Sequence, residues 1–277
     1  MTLLSRLHRL RNLAQVCAAC GRRGDGRFCQ RCRGASGIGE IAWRLQESEP
    51  QGCYVGVYRV HGSAMLSPVA RCLHSFKDRG DRQSGAVLAA VFAECCATSL
   101  VGVHAVVPVP ADPVRLRERG LSPAAWLARA LGRAGGLPMI TSAMARAGPG
   151  RAQRGLAGAA RRTNLRSAFV PGACAVDGLS LLLVDDVVTT GATLAAASRC
   201  LVAAGAARVT AAVLICADDE IIRRCRSRTG PDGTQGTAAP PRPAEPRAHR
   251  CSISRGRHPV TALPSTSLAA PGVTARD

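Results

Sequence analysis

Residues 181–200 read LLLVDDVVTTGATLAAASRC. An apolar run closed by two adjacent carboxylates, then a cluster of Thr and Gly, then an Ala-rich segment, is the pattern of a strand feeding a helix. Leu181 to Val184 has no polar side, as expected of a central parallel strand covered on both faces. Ligands of open α/β sheets bind beyond the carboxyl ends of such strands, so Asp185 and Asp186 are expected to project into a ligand crevice. Adjacent carboxylates repel unless something offsets them, and two neighbouring sugar hydroxyls assisted by Mg²⁺ can do so. Thr189, Thr190, Gly191, Ala192 and Thr193 then supply hydroxyls and amides at a helix N-terminus, which suits a phosphate. A diol beside a terminal phosphate describes a 5-phosphorylated ribose. A nucleotide-hydrolase loop would need G-x4-G-K-[ST], and a dinucleotide fingerprint would need G-x-G-x-x-G after the strand. Neither occurs here. A phospho-acceptor receiver domain would leave the Thr-rich run unexplained.

The rest of the 277-residue chain divides into three zones. Residues 1–50 hold a Cys-rich module, residues 51–217 alternate β-rich and helical segments, and residues 218–277 form a tail rich in Pro, Gly, Ser, Thr and Arg. The middle zone reads as α/β with a parallel sheet flanked by helices. Its strands are expected near Cys53 to Val60, in HAVVPVP up to the prolines Pro108 and Pro110, and over Arg208 to Cys216. Its helices are expected over Ser84 to Leu100, after the capping pair Ser122-Pro123, and over Thr193 to Ala204 with a stop at Gly205. The tail lacks hydrophobic periodicity and is expected to be disordered; from Arg226 it carries eight Arg against three acidic residues.

Cys17, Cys20, Cys29 and Cys32 form C-x2-C, eight intervening residues and C-x2-C. Two tight turns of this kind complete a tetrahedral thiolate cage for Zn²⁺, and four thiolates leave no coordination position for catalysis. The alternatives for this ligand set are two labile disulfides or an iron centre. The other nine cysteines lack paired spacing and read as small core residues or thiols. The N-terminus shows no secretory cleavage pattern, and Leu3, Leu7 and Leu10 are spaced for a short amphipathic helix. No apolar run approaches the roughly 20 residues of a membrane span, so a cytoplasmic location is expected.

A net charge of +19 makes a polyanionic partner plausible: nucleic acid, anionic lipid or a phosphorylated small molecule. The positive charge is carried by 36 Arg and a single Lys, Lys77, which reads either as a place needing a compact ammonium rather than a guanidinium fork or as an ordinary surface lysine.

The stretch LLLVDDVVTTGAT closely resembles the signature of type I phosphoribosyltransferases. In them the acidic pair binds the ribose hydroxyls of phosphoribosyl pyrophosphate (PRPP), and the following loop holds its 5-phosphate. Four further features together resemble the ComF family of phosphoribosyltransferase-like proteins. They are the four-cysteine module, LHSFKDRGD at Leu73 to Asp81, VVPVPADPVRLRERGLSPAAWLARAL from Val106, and RAQRGLAGAARRTNLRSAF from Arg151. The chain departs from the family at Leu121, Ser122 and Pro123, where Phe-Asn-Gln is common.

The resemblance implies a type I phosphoribosyltransferase-like fold, with Asp185 and Asp186 as catalytic and ribose-binding residues. It implies structural zinc, and Mg²⁺ arriving with PRPP. Lys77, Arg115, Arg117 and Arg119, the last three on a loop, are candidates for the pyrophosphate. Arg154, with Gln153, Arg161 and Asn164, would sit on a closing loop. The family further implies a role in natural transformation, beside a helicase that handles incoming single-stranded DNA. A non-catalytic sensor of PRPP or a nucleotide, or a single-stranded nucleic-acid-binding accessory, remains the competing expectation.

Overall fold

The computed structural model describes residues 16–24, 26–39, 41–43, 50–147, 168–219 and 222. The expectations for the N-terminal leucines, for the tail beyond residue 222, and for Gln153, Arg154, Arg161 and Asn164 lie outside the described residues.

The strands in chain order are β1 (Ile41–Trp43), β2 (Gly52–Val57), β3 (Ala105–Pro108), β4 (Met144–Arg146), β5 (Phe169–Pro171), β6 (Ser180–Val188) and β7 (Arg208–Cys216). The helices are α1 (Gln30–Ala35), α2 (Pro68–Arg79), α3 (Arg82–Cys95), α4 (Pro113–Arg119), α5 (Pro123–Gly135) and α6 (Ala192–Ala203). Five strands make one sheet in the order β1-β2-β7-β6-β3, parallel throughout except for β1, which joins β2 antiparallel. Strands β4 and β5 form a separate antiparallel ribbon.

The apolar run at 181–184 is buried on both sides, as its composition requires. Leu181 and Leu183 enter one core with α6 and the β4–β5 ribbon, while Leu182 and Val184 enter a second core with α2, α3 and α5. Helix α5 therefore covers one face and α6 the other. A crevice opens between them where the carboxyl ends of β3 and β6 diverge, the place at which such sheets bind ligands.

Local chemistry explains the helix boundaries. The Ser122 hydroxyl accepts from Ala125 N at 3.3 Å with Pro123 opening α5, as the sequence suggests. Asp81 caps α3 by accepting from Gln83 N at 3.0 Å and Ser84 N at 3.3 Å, and its other oxygen accepts from Ser75 Oγ at 3.1 Å, tying α3 to α2. Gly85 makes the contact between these helices: a Cβ added there would lie 2.5 Å from Phe76 Cε2. Trp126 of α5 donates Nε1–H to Gly85 O at 2.8 Å and packs its ring on Phe76.

Three expected boundaries change. The helix expected to reach Leu100 stops at Cys95, and a 3₁₀ turn covers Thr98–Leu100, where the Ser99 hydroxyl engages Cys53 Sγ at 3.2 Å instead of facing solvent on a helix. Strand β2 ends at Val57 because Arg59 pairs back on Leu66 in a turn. Strand β6 continues past Val184 through both aspartates, because β7 pairs with it as far as Val188–Cys216. Among the remaining cysteines, Cys53, Cys72, Cys96, Cys200 and Cys216 are buried thiols; Cys174, expected as a thiol or small core residue, is buried but disulfide-bonded.

Candidate active site

The extension of β6 sets the site. Pairing with β3 ends at Pro108–Val184, while pairing with β7 continues, so Asp185 and Asp186 sit on a strand open along one side. That side faces a cavity of about 360 Å³. Asp185, Asp186 and Asp112 supply its acidic lining, and Lys77, Arg115, Arg119 and Arg146 its basic lining; Thr193 completes the polar rim.

The two aspartates differ. Asp185 Oδ1 accepts from the backbone N–H of Asp186 at 2.9 Å. Burial, and then the charge of Asp186, push the Asp185 carboxyl well above the usual carboxylate range. Asp186 instead forms an ion pair through Oδ2 with the Lys77 ammonium, and both side chains are more than four-fifths buried. Lys77 reaches it from the last turn of α2, which ends at Gly80 in the left-handed conformation (φ 65°).

Beyond β6 the chain turns at Gly191, φ 77°, which caps α6 without a side chain. Thr189 and Thr190 are exposed, Ala192 opens the helix and Thr193 lines the cavity. The first-turn amides of any helix lack intrahelical acceptors, and here the dipole adds positive potential beside the acidic pair.

The arginines expected on a loop lie instead on helix α4. Asp112 accepts from Val114 N at 2.8 Å and Arg115 N at 3.4 Å, Pro113 opens the helix and Gly120 closes it. Bonding from the Val114 amide, with Arg146 and Arg115 nearby, holds the Asp112 carboxyl below the usual range. Arg115 and Arg119 line the cavity, whereas Arg117 is exposed outside it. Arg119 is braced by Asp78 at 3.5 Å; Asp78 also meets His74 Nδ1 at 3.5 Å, and His74 Nε2 pairs with the Tyr58 hydroxyl at 2.8 Å.

Arg146 is a site residue that sequence reasoning missed. It donates Nε–H to Pro110 O at 2.9 Å and lies 5.2 Å over the Phe169 ring, which fixes its guanidinium at the cavity wall. The sequence places it inside the Gly/Ala/Arg-rich segment from Met144 to Arg166, expected as a mobile closing loop, whereas the first three residues of that segment form strand β4, held by pairing with β5.

In the N-terminal module the sulfurs of Cys17, Cys20, Cys29 and Cys32 lie within 4.8 Å of one another. Tetrahedral Zn–S bonds of about 2.3 Å require sulfurs about 3.8 Å apart, and Cys20 Sγ to Cys29 Sγ is 3.7 Å. The Cys29 amide donates to Cys17 Sγ at 3.4 Å. Burial raises the Cys17 thiol, but amide bonds led by that of Cys29 outweigh it and bring the thiol to about 6. This donor set can hold a metal such as zinc. It is joined to the sheet through buried Ser36, whose carbonyl accepts from Val57 N at 2.9 Å and whose hydroxyl accepts from Val69 N at 3.0 Å.

The parallel sheet flanked by helices, with an acidic pair at the carboxyl end of β6 and a Thr/Gly turn into α6, has the phosphoribosyltransferase fold of the family model that part of the chain matches. Residues 116–234 match the family described as "Phosphoribosyl transferase domain". Solved structures similar to the chain include a mutant hypoxanthine phosphoribosyltransferase from Trypanosoma cruzi in a ternary substrates complex, at 16% identity and TM-score 0.33 over 48% of this chain and 67% of that one. A purine phosphoribosyltransferase from Pyrococcus horikoshii is 16% identical with a TM-score of 0.31, covering 48% and 81% of the two chains. A protein designated TT1426 from Thermus thermophilus is 24% identical with a TM-score of 0.31, covering 55% and 80%. No curated protein matches the chain. Among the described residues, no helix is long and apolar enough to cross a membrane.

Proposed function

We propose that this protein binds phosphoribosyl pyrophosphate with Mg²⁺ and transfers its phosphoribosyl group to a nitrogen nucleophile. The observation that carries this reading is the meeting, in one cavity, of the Asp185–Asp186 pair with Lys77, Arg115, Arg119 and Arg146. In the reaction the anomeric C–O bond to pyrophosphate breaks, a C–N bond forms, and the attacking nitrogen gives up a proton. Asp185 and Asp186 would hold the ribose hydroxyls and Mg²⁺, whose chemistry is to neutralise the diphosphate. The turn from Thr189 to Thr193 would bind the 5-phosphate. The arginines of α4, together with Arg146, would stabilise the charge that develops on the leaving group.

The test is pyrophosphate release from PRPP and Mg²⁺ across a panel of bases and amines. The Asp186→Asn variant is expected to lose at least about a hundredfold in rate, the scale of one preorganised electrostatic contact. Binding without turnover across the panel would identify a sensor instead.

Within this class we assign the chain to the ComF type, with zinc in the cysteine cage, a cytoplasmic location and a role in handling incoming single-stranded DNA beside a helicase. Support comes from the juxtaposition of Lys77, in LHSFKDRGD, with Asp186, and from the four-sulfur geometry of the N-terminal module. Single-stranded DNA affinity should then fall steeply with salt as phosphate contacts release counterions; a flat response would remove the nucleic-acid part of the reading.

A further inference from the structure

Lys77 is the chain's one lysine among 36 arginines, and it is spent on Asp186. An adjacent pair of carboxylates in a half-buried cleft needs a positive neighbour, and the ammonium supplies one when no ligand is bound. Arg115 and Arg119 line the same cavity, so an ammonium leaving Asp186 enters a region that is already cationic. It can leave only when an anion arrives there with it. The end of α2 that carries Lys77 is anchored, because Asp78 braces Arg119 and Asp81 ties α2 to α3. The residue therefore moves by its own flexible stem rather than by a shift of the helix.

We propose that Lys77 is a resident counter-cation that holds Asp186 in the free protein and is exchanged on ligand entry. A divalent cation takes its place beside the acidic pair, and the ammonium crosses to the diphosphate that the cation accompanies. This deepens the PRPP reading and rests on it for the nature of the ligand. An arginine could not serve equally, since its planar fork would clamp the carboxylate bidentately and release it reluctantly. A consequence is that metal alone binds weakly, because it must displace Lys77 without offering the ammonium a new partner. Metal and diphosphate together bind with positive coupling.

The experiment measures Mn²⁺ alone, by spin resonance of the free ion, and the Mg²⁺–pyrophosphate complex, by calorimetry, on the full chain. Lys77→Met and Lys77→Gln are both expected to bind Mn²⁺ at least tenfold more tightly than wild type and Mg²⁺–pyrophosphate at least tenfold more weakly. Lys77→Arg should show no gain for Mn²⁺, and adding Asp186→Asn to Lys77→Met should remove the gain. A merely structural role for Lys77 would weaken both ligands. Unchanged or weakened Mn²⁺ binding in Lys77→Met and Lys77→Gln, with thermal unfolding preserved in either, overturns the proposal and leaves the transferase reading standing. Absence of turnover with PRPP would sink that reading without altering either metal result.

Discussion

Asp185 occupies a position where burial and the charge of Asp186 both oppose its ionisation. Its folded-state carboxyl titrates above the value of about 3.9 found in an unfolded chain, so folding favours the protonated form. The resulting stability is fully present below the unfolded value and is lost as pH rises through the folded one. Asp185→Asn removes this dependence: calorimetry across pH should show the variant melting higher than wild type at pH 7 to 8, by about 2–4 °C per kcal/mol recovered, with the two curves converging near pH 4. The same substitution should cut pyrophosphate release, so stability and activity would move in opposite directions. The identity of the acidic pair, the threonines and the lone lysine could be read from the linear chain. The ion pair between Lys77 and Asp186 could not, because it joins a helix end to a strand far away in sequence. Arg146 was illegible for a related reason: a three-residue strand carries no periodicity, and its partners Pro110 and Phe169 come from two other segments.

Among the elements, α2, α3 and α5 form the layer that aims Lys77 and presents α4, and their packing turns on Gly85. Gly85→Val would place side-chain atoms inside the space of Phe76, whose ring is wedged against Trp126. Overpacking of this kind costs about 1–3 kcal/mol, so denaturant unfolding should show a lower midpoint with an unchanged slope; an unaffected midpoint would mean that the helices can separate without penalty. Helix α5 was legible from Ser122-Pro123 because its cap is local chemistry. Helix α4 carried the same kind of signal, Asp112-Pro113 ahead and Gly120 behind, but its alternating arginines and complete lack of buried side chains give no apolar stripe to read. Strand β6 outran its apolar run because register with β7, a tertiary property, decides where pairing ends.

For the whole molecule, the cysteine module and the transferase-like sheet are joined by bonded contacts through Ser36 and by β1, which pairs with β2. The spacing of the four cysteines made the cage legible, whereas nothing in the sequence showed that Ser36 would serve both β2 and α2. If zinc occupies the cage, the purified chain should carry one equivalent, and a strong chelator should lower the melting temperature and speed hydrogen exchange at the amides of Val57 and Val69, which bond to Ser36. Slow exchange at both amides after complete metal removal would show the module to be energetically separate. The antiparallel β1 has a bearing beyond metal binding. It shields the outer margin of β2, whose Gly52 to Tyr54 backbone would otherwise lie bare to any passing chain. A shortened form beginning at residue 50 would thus lose more than a metal site: it would expose an adhesive sheet border on a protein whose strong positive charge is its main remaining guard against clumping.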